Sequence, residues 1–228
     1  MIRRRPTKRL LEFCGLETLE SRQLMSASPF FQHATSFVYT ETDNSNPGQN
    51  VVIAFRQNSD GQLTQIGSFN TGGTGVANPQ RLLGPDDSDK EVIASPDGRL
   101  LFAVNQGSNS IAVFRVHRDG SLQLVNHTAV SSGGTEPVSL SIANGRLYVV
   151  NRGDEVQGQP GTIAPTITVF DIRRNGELRQ DLADTTTLPV GLSPSQLLIS
   201  STGRLAFLDT FTPPPLDSVT EANEVVPF

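Results

Sequence analysis

Apolar residues along the chain come in short runs of β-forming types, and each run is closed by Gly, Asn, Asp or Pro. Three segments share one pattern: VVIAFRQNSDGQL (51–63), SIAVFRVHRDGSL (110–122) and TITVFDIRRNGEL (166–178). Their phenylalanines fall at 55, 114 and 170, and their turn dipeptides Asp60-Gly61, Asp119-Gly120 and Asn175-Gly176 keep the same two intervals. Asp-Gly or Asn-Gly between β-rich runs predicts a hairpin, with a type I′ turn that needs φ > 0 at both central residues.

A second pattern precedes the first. VIASPDGRLLFAVNQG (92–107), SLSIANGRLYVVNRG (139–153) and LLISSTGRLAFLDT (197–210) each read as an apolar strand, a turn at Gly98, Gly145 or Gly203, and a second strand ending near an Asn or Asp. The two hairpins together make a four-stranded antiparallel unit of about 57 residues. In IAVFRV (111–116), Ile111 and Val113 point one way, and Ala112, Phe114 and Val116 the other. Both faces are apolar, as in a sheet sandwiched between neighbouring sheets. Repeated units of four short strands predict an all-β chain and a β-propeller. A β-sandwich or an open β-solenoid fits the long two-hairpin period less well. The Gly/Pro-rich stretch DEVQGQPGTIAP (154–165) reads as a loop insertion between strands.

Composition narrows the function classes. The 228 residues carry a net charge of −5, yet Arg3, Arg4, Arg5, Lys8 and Arg9 crowd the first nine positions, and without them the balance falls to −10. An acidic body argues against a nucleic-acid surface. No window of about 18 apolar residues exists to span a membrane as a helix. The single Cys14 excludes an internal disulfide framework and a cysteine zinc cluster. Neither TGGTG (71–75) nor SSGG (131–134) continues into a phosphate-binding loop, so both read as turns leaving outer strands, and no cofactor is expected. Asp86, Asp87 and Asp89 in GPDDSDKE are weak candidates for a cation, since their spacing lacks the alternation and distal Glu of an EF-hand loop.

The N-terminal segment opens with a cationic front but holds no apolar core of secretory-signal length, because Glu12, Glu17, Glu20 and Arg22 interrupt it. LETLESRQLMSA (16–27) resembles the LEPR-XLL-type N-terminal sorting motif of bacterial exported and cell-surface proteins. That resemblance implies residues 1–28 act as a sorting segment read by export machinery, with residues 29–228 forming the propeller. It implies a place at the cell surface or in the periplasm, with the cytoplasm as the alternative.

SPDGRLLFAVNQGSNSIAVFRVHRDGSL (95–122) and GGTEPVSLSIANGRLYVVNRG (133–153) resemble the seven-bladed β-propeller lactonase family, which includes 6-phosphogluconolactonase, 3-carboxymuconate-cyclizing enzymes and YVTN-type bacterial propellers. The resemblance covers residues 37–228 and specifies fold more than activity. Members taken as lactonases often carry Pro-His leading into an innermost strand. The matching positions here are Lys90, Val138 and Ser195, and His33, His117 and His127 fall elsewhere. This departure favours a propeller that binds a ligand or partner over the alternative, a lactone hydrolase or cyclase acting on a sugar-acid ring; a repetitive envelope component is the third reading. Loops leading into inner strands line one mouth of a propeller channel, which makes Lys90, Glu91, Glu136 and Arg152 the candidate binding residues. In a lactonase such an Arg would hold an anionic substrate or oxyanion, and such a Glu would activate water.

The closing residues EVVPF (224–228) fall at the interval expected of a fourth copy of SIAVF and TITVF. The first unit opens at Phe37-Val38-Tyr39-Thr40, the equivalent of a second strand. About 3.5 blades of an incomplete ring are therefore expected, against about 400 residues for seven blades. Exposed blade edges of that kind are expected to be adhesive.

Overall fold

The computed structural model describes residues 36–76, 90–154, 161–200, 203–211 and 226–227. The first sheet contains β1 (Ser36–Glu41), β2 (Val51–Gln57) and β3 (Leu63–Asn70) in that order. The second contains β4 (Val92–Ala94), β5 (Leu100–Asn105), β6 (Ser110–Val116) and an outer strand in two pieces, β7 (Leu122–Leu124) and β8 (Val130–Ser131). The third contains β9 (Pro137–Ala143), β10 (Arg146–Asn151), β11 (Thr166–Ile172) and β12 (Leu178–Thr187). The fourth contains β13 (Ser193–Ile199), β14 (Ala206–Phe211) and β15 (Val226–Pro227). Every pairing is antiparallel. This is a partial β-propeller.

Register confirms the repeat residue by residue. Val38 lies opposite Phe55, Leu101 opposite Phe114, and Leu147 opposite Phe170, so β1 is the second-strand equivalent that the sequence implies. Phe207 lies opposite Pro227 as Phe102 lies opposite Val113, which is the register predicted by reading EVVPF as a copy of SIAVF.

The turn chemistry differs from the sequence expectation. Asp60, Asp119 and Asn175 do not have positive φ; only the following Gly61, Gly120 and Gly176 do, at +85°, +84° and +87°. The loop holds one more residue than a type I′ hairpin allows. Asn58 N–H bonds to the Gln62 carbonyl, and His117 to Ser121 and Arg173 to Glu177 do the same. That is a three-residue loop whose glycine takes the left-handed position. The acidic or amide side chain accepts the N–H two residues on, as in Gln62 to Asp60 Oδ1. The two-residue turn with both φ positive occurs instead at Asn144-Gly145, between β9 and β10.

Three apolar seams hold the sheets face to face. Ile111 and Val113 pack with Phe102, Leu140, Leu147 and Phe170 between the second and third sheets. Ala112 and Phe114, on the opposite side of the same strand, pack with Val52, Leu101 and Leu122 against the first sheet. Val138, Val150, Leu197 and Leu208 fill the seam between the third and fourth. Each buried large side chain here contributes on the order of 1.5–3 kcal/mol. One aromatic recurs at the same register in every sheet, at Tyr39, Phe102, Tyr148 and Phe207. The first three face the sheet that follows them in the chain.

The connectors between sheets are also repeated. Thr71 and Ser132, just beyond β3 and β8, donate their N–H groups to the carbonyls of Asn50 and Asn109, each the residue before the third-position strand of its own unit. Gly73 and Gly134 then rest on Asn105 and Asn151 of the next sheet, so closely that a Cβ on either glycine would collide with the asparagine.

Candidate functional site

Antiparallel pairing sends the two kinds of glycine turn to one end of the sheets. The Gly98, Gly145 and Gly203 turns share one end with the Gly61, Gly120 and Gly176 turns. The residues entering β4 and β9 and leaving β1, β5 and β10 share the other end, and all four candidate residues lie there. Lys90 and Glu91 lead into β4, Glu136 leads into β9, and Arg152 follows β10. The Lys90 carbonyl accepts the Leu140 N–H at 3.1 Å, and the Ser139 hydroxyl accepts the Leu197 N–H at 3.2 Å. The inner strands of successive sheets therefore stand side by side at this end.

Glu136 and Arg152 are brought together. Arg152 Nη2 donates to Glu136 Oε2 at 2.9 Å, and the Arg152 N–H donates to the Glu136 carbonyl at 2.8 Å. The Arg152 side chain is 2% exposed and that of Glu136 27%. Glu136 itself has φ +54°, held by its N–H bonding to Asn109 Oδ1 at 2.7 Å. A guanidinium so enclosed is neutralised by the protein, and an incoming anion would have to compete with Glu136 for it. Lys90 is exposed, with φ +63°. Asp86, Asp87 and Asp89 lie outside the described residues, as do His33 and residues 1–28. Among the described residues no cluster of three metal-ligating side chains occurs. His117 closes a turn at the far end of the sheets, and His127 sits in a short 3-10 turn (Val125–His127) that interrupts the outer strand of the second sheet.

One group at this end was missed from the sequence. Glu41 is the last residue of β1, and burial, followed by the neighbouring Glu91 carboxylate, pushes its carboxyl well above the usual range. Asp43 adds to the effect. Its Oε1 accepts from Asn50 Nδ2 at 2.8 Å, and that amide also reaches Asn105 Oδ1 at 3.0 Å. Glu41 Oε2 is shielded from solvent and has no hydrogen-bond partner among the described residues. The signal was present: Phe37, Tyr39 and Glu41 alternate along one face of β1, and Tyr39 packs in the seam against the second sheet.

A family model for the seven-bladed β-propeller lactonases matches residues 31–155, more than half of the chain. The chain belongs to the seven-bladed β-propeller lactonase family. Solved structures share its fold. A candidate 6-phosphogluconolactonase from Bacteroides fragilis superposes with a TM-score of 0.56 at 18% identity, covering 83% of this chain and 52% of that one. A Lactobacillus plantarum protein gives 0.56 at 16% identity, covering 84% and 52%. The periplasmic gluconolactonase of Pseudomonas aeruginosa gives 0.53 at 23% identity, covering 83% and 53%. This lactonase-family chain thus spans about half the length of the structures it matches. A comparison with curated proteins finds no match. Among the described residues no helix is long and apolar enough to cross a membrane.

Proposed function

We propose that the sheet end bearing Glu41, Lys90, Glu91, Glu136 and Arg152 forms one side of a site for a sugar-acid lactone, and that the Glu41–Glu91 pair supplies acid–base chemistry for opening the ring. The observation that carries this is the Glu41 carboxyl, shifted upward by burial and by the charge of Glu91 at the same end of the sheets. Two carboxyl groups in unlike surroundings favour sharing one proton between a donor and a base. Glu91 as carboxylate takes a proton from water as the oxygen attacks the lactone carbonyl. The tetrahedral intermediate then breaks its ring C–O bond, and Glu41, protonated, gives its proton to the departing alkoxide. The product is the open hydroxy acid. Lys90, exposed at the mouth, suits the anionic group of such a substrate. The Glu136–Arg152 pair braces the wall beside it.

A second reading, a propeller that binds such a ligand without hydrolysing it, is supported by Lys90, Val138 and Ser195 at the positions where a histidine would be expected. In either case the basic front and the LETLESRQLMSA segment support delivery to the cell surface or periplasm.

Acid release from a panel of aldonolactones, with calorimetry on the same compounds, separates these readings. Hydrolysis by the full chain, lowered about 10²–10⁴-fold in Glu91→Gln, is the expected result. Binding without acid release would select the second reading. Neither binding nor release would overturn both.

A further inference from the structure

At the opposite end of the sheets, the second and third units enclose a cleft of about 790 Å³. Its walls carry Arg99, Arg115, His117, Arg173 and Arg174, with Asp97 the one acidic residue among those lining it. The gathering is a product of the repeat. In both units the end of the third-position strand is tied to the inner turn, through Val116 N–H to the Arg99 carbonyl at 2.9 Å and Ile172 N–H to the Gly145 carbonyl at 3.1 Å. These bonds set Arg99 beside Arg115 on one wall and place Arg173 and Arg174 over Asn144-Gly145 on the other. Arg115 crosses the cleft, donating from Nη2 to the Asn175 carbonyl at 2.8 Å. Asp97 is already engaged, accepting from the Ser95 hydroxyl and the Arg99 N–H and lying 3.8 Å from the Arg99 guanidinium. The floor includes the apolar Leu100, Val116, Ile142 and Ile172.

Four exposed arginines line this one concavity, with Asp97 the only carboxylate among the lining residues, so the local field is positive. In a chain whose net charge is −5, that concentration of cations is local, and it favours a small anion over a nucleic-acid duplex. Arginine presents planar donor pairs that match the oxygens of phosphate and carboxylate two at a time. The geometry points to a second ligand site here, for a small organic polyanion carrying several phosphate or carboxylate groups over an apolar body. The site is built from two complete sheets and shares no residue with the end that bears Glu41 and Glu91.

Calorimetric titration of the full chain with tripolyphosphate and, separately, citrate tests the assignment, with Arg99→Ala/Arg174→Ala as the variant. Both substituted residues are exposed, and unchanged thermal melting of the variant checks that the fold is intact. The expected result is saturable binding of at least one probe, about tenfold weaker in the variant and weaker again with rising salt. The tighter of the two probes identifies the group as phosphate or carboxylate. Absence of saturable binding by either probe, or equal affinity in the variant, would overturn the site.

Discussion

Phe102 and Phe207 occupy the same place in the repeat and meet different fates. Each is the recurring aromatic of its second-position strand, opposite Val113 and Pro227 respectively. Phe102 is 0% exposed because the third sheet covers it, whereas Phe207 is 43% exposed on the outer face of the fourth. The directly paired Leu198 shares that exposure, while Leu197 and Leu208, on the other face, are buried against the third sheet. Burial in this architecture belongs to the seam between sheets and not to the strand, so the same place in the repeat carries very different energetic weight.

Five substitutions test that contrast. Phe102→Ala removes a side chain from the middle of a covered seam and should cost about 3–5 kcal/mol in chemical denaturation. Arg152→Met leaves Glu136 without its guanidinium in a largely enclosed setting; because Glu136 is part-exposed, the loss should be about 2 kcal/mol by the same measurement. Gly134→Ala drives a methyl group against Asn151 and Thr166 and should cost about 1–3 kcal/mol. Glu41→Gln acts through pH. A carboxyl whose folded-state value is raised binds its proton more tightly when folded, so its contribution falls as pH climbs above 4.5 toward the raised value. The variant should therefore be less sensitive to pH across that range and more stable than the parent on its alkaline side, as followed by melting temperature against pH. Phe207→Ala should change stability least, by under about 1 kcal/mol; a loss as large as that of Phe102→Ala would erase the distinction between covered and open faces.

Much of this was legible in the sequence because the repeat keeps its spacing. The Phe55, Phe114 and Phe170 series fixed the unit, and the alternation in IAVFRV separated Ile111 and Val113 from Ala112 and Phe114 onto the two seams they occupy. The hairpin turns depart from the type I′ expectation because Asp-Gly and Asn-Gly dipeptides look alike in two- and three-residue loops. The extra residue becomes evident only when Asn58 pairs with Gln62. Glu41 was overlooked for a different reason: its chemistry depends on Glu91, fifty positions away, and on the packing of one sheet against the next. Likewise Glu136 and Arg152 were each identified, but not as partners; that follows from the register of β9 with β10.

The glycine connectors have a consequence for how such a chain can grow and diverge. Gly73 rests on Asn105 and Ser108, and Gly134 on Asn151 and Thr166, so the two sides of each close fit lie in successive units. Tandem duplication cut cleanly at a sheet boundary would separate the two halves of each fit. The shortest stretch that keeps both sides of one fit together runs from one connector through the second-position strand beyond it. Drift at the glycine and at its asparagine should be correlated across descendants even where every other contact between neighbouring sheets has changed.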